Sequence, residues 1–199
     1  MFIQVIEGRA GDEAGLRSQM EAWMRDLAPG ATGWLGSTAG VAADGTFVAT
    51  ARFESEETAR ANSDRPEQGE WWKATSSHFA GDVTFTDCPQ VDTFGRGGSD
   101  DAGFVQLMYG RADRDALRAV GTELDETLSR MRPDVIGGII GWPGDGSFIQ
   151  VVYFTSEGEA RAGEQTQSSP EDQEAMGRLM SLIEVGRYLD LPDPWLYSA

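Results

Sequence analysis

Apolar and polar residues alternate along the chain in patterns that predict strands and amphipathic helices. Residues 2–8 form an apolar, strand-like segment, and apolar residues then recur at three- and four-residue spacing, which predicts a helix with one apolar face. Asp12 is a favourable N-cap for that helix, and Pro29-Gly30 predicts its end. The residues of the apolar face are Leu16, Met20, Trp23 and Leu27.

A β-hairpin and two further helices complete the first half of the pattern. Asp44-Gly45 is a strong signal for a two-residue turn between two strands. Ser55 and Pro66 are each suited to the start of a helix, and the second of these helices is predicted to run towards His78. The predicted strands of this part are residues 34–41, 47–53 and 81–87.

The same pattern returns in the second half of the chain. Asp44-Gly45-Thr46-Phe47 corresponds to Asp145-Gly146-Ser147-Phe148, and Ser55-Glu56 corresponds to Ser156-Glu157. Each half therefore has the order strand, helix, strand, strand, helix, strand, which is the ferredoxin-like βαββαβ arrangement of an α+β fold. The predicted division is a first repeat at 1–94, a glycine-rich linker at 95–101 and a second repeat at 102–199.

Each predicted sheet carries apolar residues on both faces. Val48 and Ile149, for example, alternate with the residues that face the helices. Because an apolar sheet face must be buried against another layer, we expect the two antiparallel sheets to face each other as a barrel made by the two halves.

Composition and charge exclude several classes of partner. The chain has 16 basic and 33 acidic residues and a net charge of −17, so neither nucleic acid nor a membrane surface is an expected partner. A single cysteine, Cys88, excludes an internal disulfide and a cysteine metal cluster. We expect a cytoplasmic protein, since the sequence shows neither a signal-like leader nor a long apolar run. The oligomeric state stays open, with a monomer that contains an internal pseudo-dimer as one option.

The element order resembles the dimeric α+β barrel superfamily. The segment Phe-Glu-Ser-Glu-Glu at residues 53–57 and the aromatic helical segment that ends in His78 add to this resemblance. The chain is most similar to the antibiotic biosynthesis monooxygenase (ABM) group, here duplicated in tandem within one polypeptide. The resemblance implies a pocket between helices and sheet within a half, a small apolar or aromatic ligand, and cofactor-independent monooxygenation as the reaction.

His78 is the chain's only histidine and the preferred catalytic base, because histidine ordinarily titrates near neutral pH. Trp71 and Trp72 precede it by one or two helical turns and are predicted to contact the substrate. No cofactor and no metal site is expected, although haem-degrading relatives imply haem on His78 as an alternative. A purely structural role places His78 at a helix C-terminus and the tryptophans over the sheet.

Gln4 and Gln106 occupy the same position in the first strand of each half, within otherwise apolar sequence. A buried amide needs hydrogen-bond partners, so these residues either anchor a substrate or bond to each other, to water or to nearby backbone. Gln150 raises the same question but has no glutamine at the equivalent place in the first half. Asp87 and Asp190 each stand two residues before a proline and are predicted to form turns.

Three functions follow as hypotheses from these residues and from the resemblance. The leading one is an ABM-like protein that binds a small apolar or aromatic molecule and oxygenates it, with the first half favoured because it contains Trp71, Trp72 and His78. The second is haem binding through His78. The third is a non-catalytic binding or scaffolding protein whose duplication only stabilises the fold.

Overall fold

The structure, a computed structural model, describes residues 1–165 and 169–199, with side chains described outside 122–124. It contains two compact units, one formed by Met1–Val91 together with Asp193–Ala199 and the other by Asp92–Pro192. Each unit has an antiparallel sheet with the βαββαβ order predicted from the repeat. The predicted α+β class with two ferredoxin-like repeats is confirmed.

The elements of the first unit follow the predicted order closely. They are β1 (Phe2–Ala10), α1 (Glu13–Asp26), β2 (Trp34–Val41), β3 (Thr46–Phe53), α2 (Glu56–Ser63), α3 (Pro66–Ser76) and β4 (Phe79–Cys88). The next strand along the chain, β5, spans Gln90–Gly95.

The second unit repeats these elements with small differences in length. They are β6 (Phe104–Ala112), α4 (Arg114–Met131), β7 (Val135–Trp142), β8 (Ser147–Phe154), α5 (Glu157–Glu164), α6 (Pro170–Ser181) and β9 (Ile183–Leu191). The last strand of the chain, β10, spans Trp195–Ser198.

A fifth strand in each sheet was not predicted. The strand order is β10-β2-β3-β1-β4 in the first sheet and β5-β7-β8-β6-β9 in the second. Strand β5 follows the first repeat in sequence but belongs to the second sheet, and β10 follows the second repeat but belongs to the first. Backbone pairing at the sheet edges thus places β5 in the second sheet and β10 in the first. For this reason the bounds of the compact units differ from the predicted division at 1–94, 95–101 and 102–199.

Local signals in the sequence act as expected at the helix starts, whereas the first hairpin has a loop one residue longer than predicted. The Asp12 side chain accepts a hydrogen bond from the Gly15 backbone N–H at 3.0 Å, which caps α1. Ser55 and Thr58 form a reciprocal capping box at the start of α2. The first hairpin loop has three residues, 43–45, and not the predicted two, since the Ala42 N–H donates to the Thr46 carbonyl and the Gly45 N–H donates to the Ala42 carbonyl, each at 2.8 Å. Gly45 has a φ of +85°, the left-handed conformation that the last residue of such a loop requires.

The helices of each unit pack on one face of its sheet. In the first unit, Trp23 and Leu27 of α1 and Ala59 of α2 pack against Phe2, Trp34 and Phe53 of the sheet. In the part of the chain that the structure describes, no helix is both long and apolar enough to span a membrane.

Candidate functional site

Each unit contains a cavity between its helices and its sheet. The cavity of the first unit has a volume of about 80 Å³ and that of the second about 270 Å³. The two cavities occupy the same place in the repeated fold, so the difference in size comes from the side chains that line them.

Tryptophans fill most of the space in the first unit. Trp23 lies 5.1 Å from Trp34 and 6.5 Å from Trp71 between ring centroids, and Trp71 lies 6.1 Å from Trp72. All four rings line the remaining cavity. Their mutual packing leaves little room for a ligand.

Internal hydrogen bonds hold three of these indoles in place. The indole N–H of Trp23 donates to Gln68 Oε1 at 2.7 Å, and that of Trp34 donates to Ser37 Oγ at 3.0 Å. The indole N–H of Trp71 donates to the backbone carbonyl of Gln19 at 2.8 Å. The predicted substrate contacts Trp71 and Trp72 thus border a small cavity, and Trp71 is already bonded within the protein.

His78 lies beyond the C-terminal end of α3 and lines neither cavity. Its Nδ1 lies 2.9 Å from Asp12 Oδ2, and its backbone carbonyl accepts the N–H groups of Gly11 and Asp12, each at 2.9 Å. Gly15 permits this approach, since a Cβ there would lie 2.1 Å from His78 Nδ1. In this arrangement His78 supports the N-terminus of α1.

The first unit does not fit a haem ligated by His78. The imidazole is directed to the Asp12 carboxylate and away from the cavity lining, and 80 Å³ lies far below the ~300–1,000 Å³ of typical small-molecule sites.

Gln4 and Gln106 are both paired with a carboxylate on the neighbouring edge strand. The amide of Gln4 donates to Asp87 Oδ1, and that of Gln106 donates to Asp190 Oδ1, each at 2.8 Å. Asp87 and Asp190 thus lie within strands β4 and β9 as acceptors, and the turn predicted for them is wrong. Gln4 also lines the first cavity, whereas Gln106 is not part of the lining of the second.

The cavity of the second unit is almost entirely apolar. Its walls come from the sheet and from helices α4 and α6, with one aromatic ring contributed by β5. The apolar lining residues are Phe94, Met108, Leu117, Leu128, Val135, Ile140, Phe148, Val152, Phe154, Met176, Leu179, Met180 and Ile183.

Among the side chains that the structure describes, three polar ones border this apolar cavity: Asp125, Arg132 and Gln150. Arg132 pairs with Asp134 at 2.7 Å, and Asp125 Oδ1 accepts the backbone N–H of Gly95 at 3.0 Å. Gln150 is half-buried in the middle of β8. The sequence pattern indicated Gln150 but not Asp125, whose only signal is its position as an acidic residue within the apolar pattern of a helix.

The larger cavity results from smaller side chains at matching positions. Trp34 pairs with Phe53 in the first sheet, and Val135 pairs with Phe154 at the same place in the second. Trp71 is the sixth residue of α3, and Ala175 is the sixth residue of α6. These replacements remove indole volume from the second unit.

Comparison with solved structures places the chain in a known fold. A candidate monooxygenase from Fusobacterium nucleatum matches with a TM-score of 0.75, 8% identity, and coverage of 99% of this chain and 94% of that one. A candidate monooxygenase from Lactobacillus acidophilus matches with a TM-score of 0.69, 10% identity and 98% coverage of both chains. An anthrone oxidase-like protein matches with a TM-score of 0.63, 11% identity, and coverage of 99% and 90%.

These likenesses extend over nearly the whole chain and confirm the predicted fold, with two ferredoxin-like repeats in tandem. No protein-family model and no curated protein sequence matches the chain. At identities of 8–11%, the structural matches establish the fold alone.

Proposed function

We propose that the second unit binds a small, largely apolar molecule, preferably one with an aromatic ring system, in the cavity between α4, α6 and the sheet. The observation that carries this proposal is the cavity of about 270 Å³ with its almost wholly apolar lining. This volume approaches the range of ~300–1,000 Å³ that is typical of small-molecule sites. Burial of apolar ligand surface supplies the driving force for binding.

The internal duplication supplies a direct test of binding. Trp72 and Met176 are the seventh residues of α3 and α6, and each lines the cavity of its unit. Val135→Trp and Met176→Trp therefore introduce into the second cavity the residues found at the same positions of the first, Trp34 and Trp72. We expect the wild-type protein to bind one equivalent of the neutral fluorescent probe N-phenyl-1-naphthylamine. Each variant is expected to weaken that binding at least about tenfold, because the indole occupies the ligand's space.

The matched control makes the reverse substitution at the position in the first unit that corresponds to Met176. Trp72→Met changes only the first unit and should leave the affinity of the second cavity as it was. Undiminished probe binding by both Val135→Trp and Met176→Trp, with native unfolding profiles, would show that the probe binds elsewhere and would end the proposal.

Cofactor-independent monooxygenation is the second candidate function. The names of the matched structures, candidate monooxygenases and an anthrone oxidase-like protein, favour it. In such a reaction a base removes a proton from an activated CH₂ group, and the carbanion transfers electrons to O₂. One oxygen atom ends as the product carbonyl and the other leaves as water.

Asp125 is the one carboxylate among the described residues of the cavity lining, and we assign it the role of base in this reaction. His78, which the sequence favoured, borders neither cavity and stays only a prediction as a catalytic residue. Asp125→Asn should lower oxygen uptake with an anthrone by on the order of 100-fold, while probe affinity is retained. Equal oxygen uptake by wild type and variant would exclude Asp125 as the base.

A further inference from the structure

The position of Gln150 directs its side chain into the apolar cavity of the second unit. Gln150 lies in the middle of β8, between Met108 of β6 and Ile140 of β7. Both of these neighbours also line the cavity. The amide therefore lies on the sheet floor of the site, surrounded by apolar side chains.

The side-chain amide of Gln150 has no hydrogen-bond partner among the described residues. An amide has two donor hydrogens and an acceptor oxygen, and a half-buried amide without partners is unfavourable unless water or a ligand satisfies it.

The other polar groups of the cavity are already engaged within the protein. Arg132 binds Asp134 and also donates to the backbone carbonyl of Ala160 at 3.1 Å. One oxygen of Asp125 accepts the backbone N–H of Gly95. Of the described polar side chains in this lining, Gln150 is therefore the neutral one whose donors and acceptor are all available to a ligand.

The repeated fold supports a role of Gln150 outside structural packing. The glutamines at equivalent positions of both units, Gln4 and Gln106, are each paired with an aspartate. Position 150 differs in this respect, since Ala49 stands at the corresponding place in β3 and the fold forms there without an amide. Only the unit with the larger cavity has a glutamine at this position.

We propose that Gln150 is the specificity-determining residue of the second cavity, where its amide hydrogen-bonds a neutral hydroxyl or carbonyl group on an otherwise apolar ligand. This inference rests on the proposed binding function and adds the polar group that the ligand must carry. An anionic ligand is disfavoured, because Arg132 is already neutralised by Asp134 and the Asp125 carboxylate borders the same space.

The test compares two ligands that differ by one hydroxyl group, 2-naphthol and naphthalene, by displacement of N-phenyl-1-naphthylamine. Gln150→Leu preserves approximate size but removes the hydrogen bond. We expect the ratio of 2-naphthol affinity to naphthalene affinity to fall about three- to tenfold in this variant, the effect of one net hydrogen bond. Naphthalene affinity should be unchanged or slightly higher. Gln150→Met serves as a second variant if the leucine form does not fold.

The possible failures can be told apart. An unchanged ratio in a folded Gln150→Leu or Gln150→Met protein that still binds naphthalene would overturn the assignment of Gln150 and leave the binding function standing. Absence of binding of the probe and of both naphthalenes to the wild-type protein would overturn the proposed function, and the Gln150 assignment with it.

Discussion

The two units of this protein have the same fold and different interiors. In the first, four indole rings line a cavity of about 80 Å³, and in the second, valine, methionine and leucine side chains border about 270 Å³. The backbone elements that form the walls correspond one to one. A few large-to-small replacements between helices and sheet therefore account for the difference between a packed interior and an open cavity on the same scaffold.

The most direct way to break this comparison is to open the first cavity. Trp34 is 5% exposed and stands where the second unit has Val135. We expect Trp34→Val to lower the free energy of unfolding by about 3 kcal/mol, because it removes a buried aromatic ring and leaves a cavity. Urea denaturation measures the loss, and probe titration should show a second binding site. A stability loss below about 1 kcal/mol would indicate that the indole is loosely packed.

A smaller change in the free energy of unfolding is expected for a substitution on the sheet face that points away from the helices. Arg52 is 8% exposed and its Nε has no hydrogen-bond partner among the described residues, whereas the equivalent position of the second unit holds the fully buried Tyr153. Because a buried unsatisfied donor is costly, Arg52→Met should raise the free energy of unfolding by about 1 kcal/mol. Arg9→Met, at an exposed position, serves as the control with little change. A clear loss of stability in Arg52→Met would show that the guanidinium is compensated.

The smallest expected change in stability comes from the N-cap residues of the equivalent helices α1 and α4, Asp12 and Asp113. The hydrogen bond from the Gly15 N–H and the contact with His78 hold the pKa of the Asp12 carboxyl below its usual value of 3.8. A carboxyl with a lowered pKa stabilises the folded state above its unfolded pKa, and this contribution is lost as the pH falls through the folded pKa.

Asp12→Asn keeps a capping acceptor but removes the charge. Its unfolding midpoint should be lower than that of the wild type at pH 6, and the difference should shrink as the pH falls below 3.8 and through the lowered pKa of Asp12. Asp113→Asn is the matched control in the second unit, where the cap of α4 has no histidine beside it because His78 is the chain's only one. A difference that persists unchanged at low pH would exclude the charge of Asp12 as its source.

Short-range patterns explain why so much of the fold was predictable. The caps at Asp12 and Ser55 and the turn at Asp44-Gly45 act through hydrogen bonds and backbone conformations a few residues apart. Helical spacing of apolar residues likewise depends only on nearby positions. The candidate site was less predictable, because it depends on which side chains meet across the fold.

The sequence by itself determined that this chain contains two ferredoxin-like repeats, since that information lies in local periodicity, capping and the repeated hairpin. Only the tertiary structure decided that β5 joins the second sheet and β10 the first, and that the His78 imidazole contacts Asp12. It also decided that the larger of the two cavities lies in the second unit. Edge pairing, side-chain direction and cavity volume arise from contacts between residues far apart in sequence, and no local pattern specifies them.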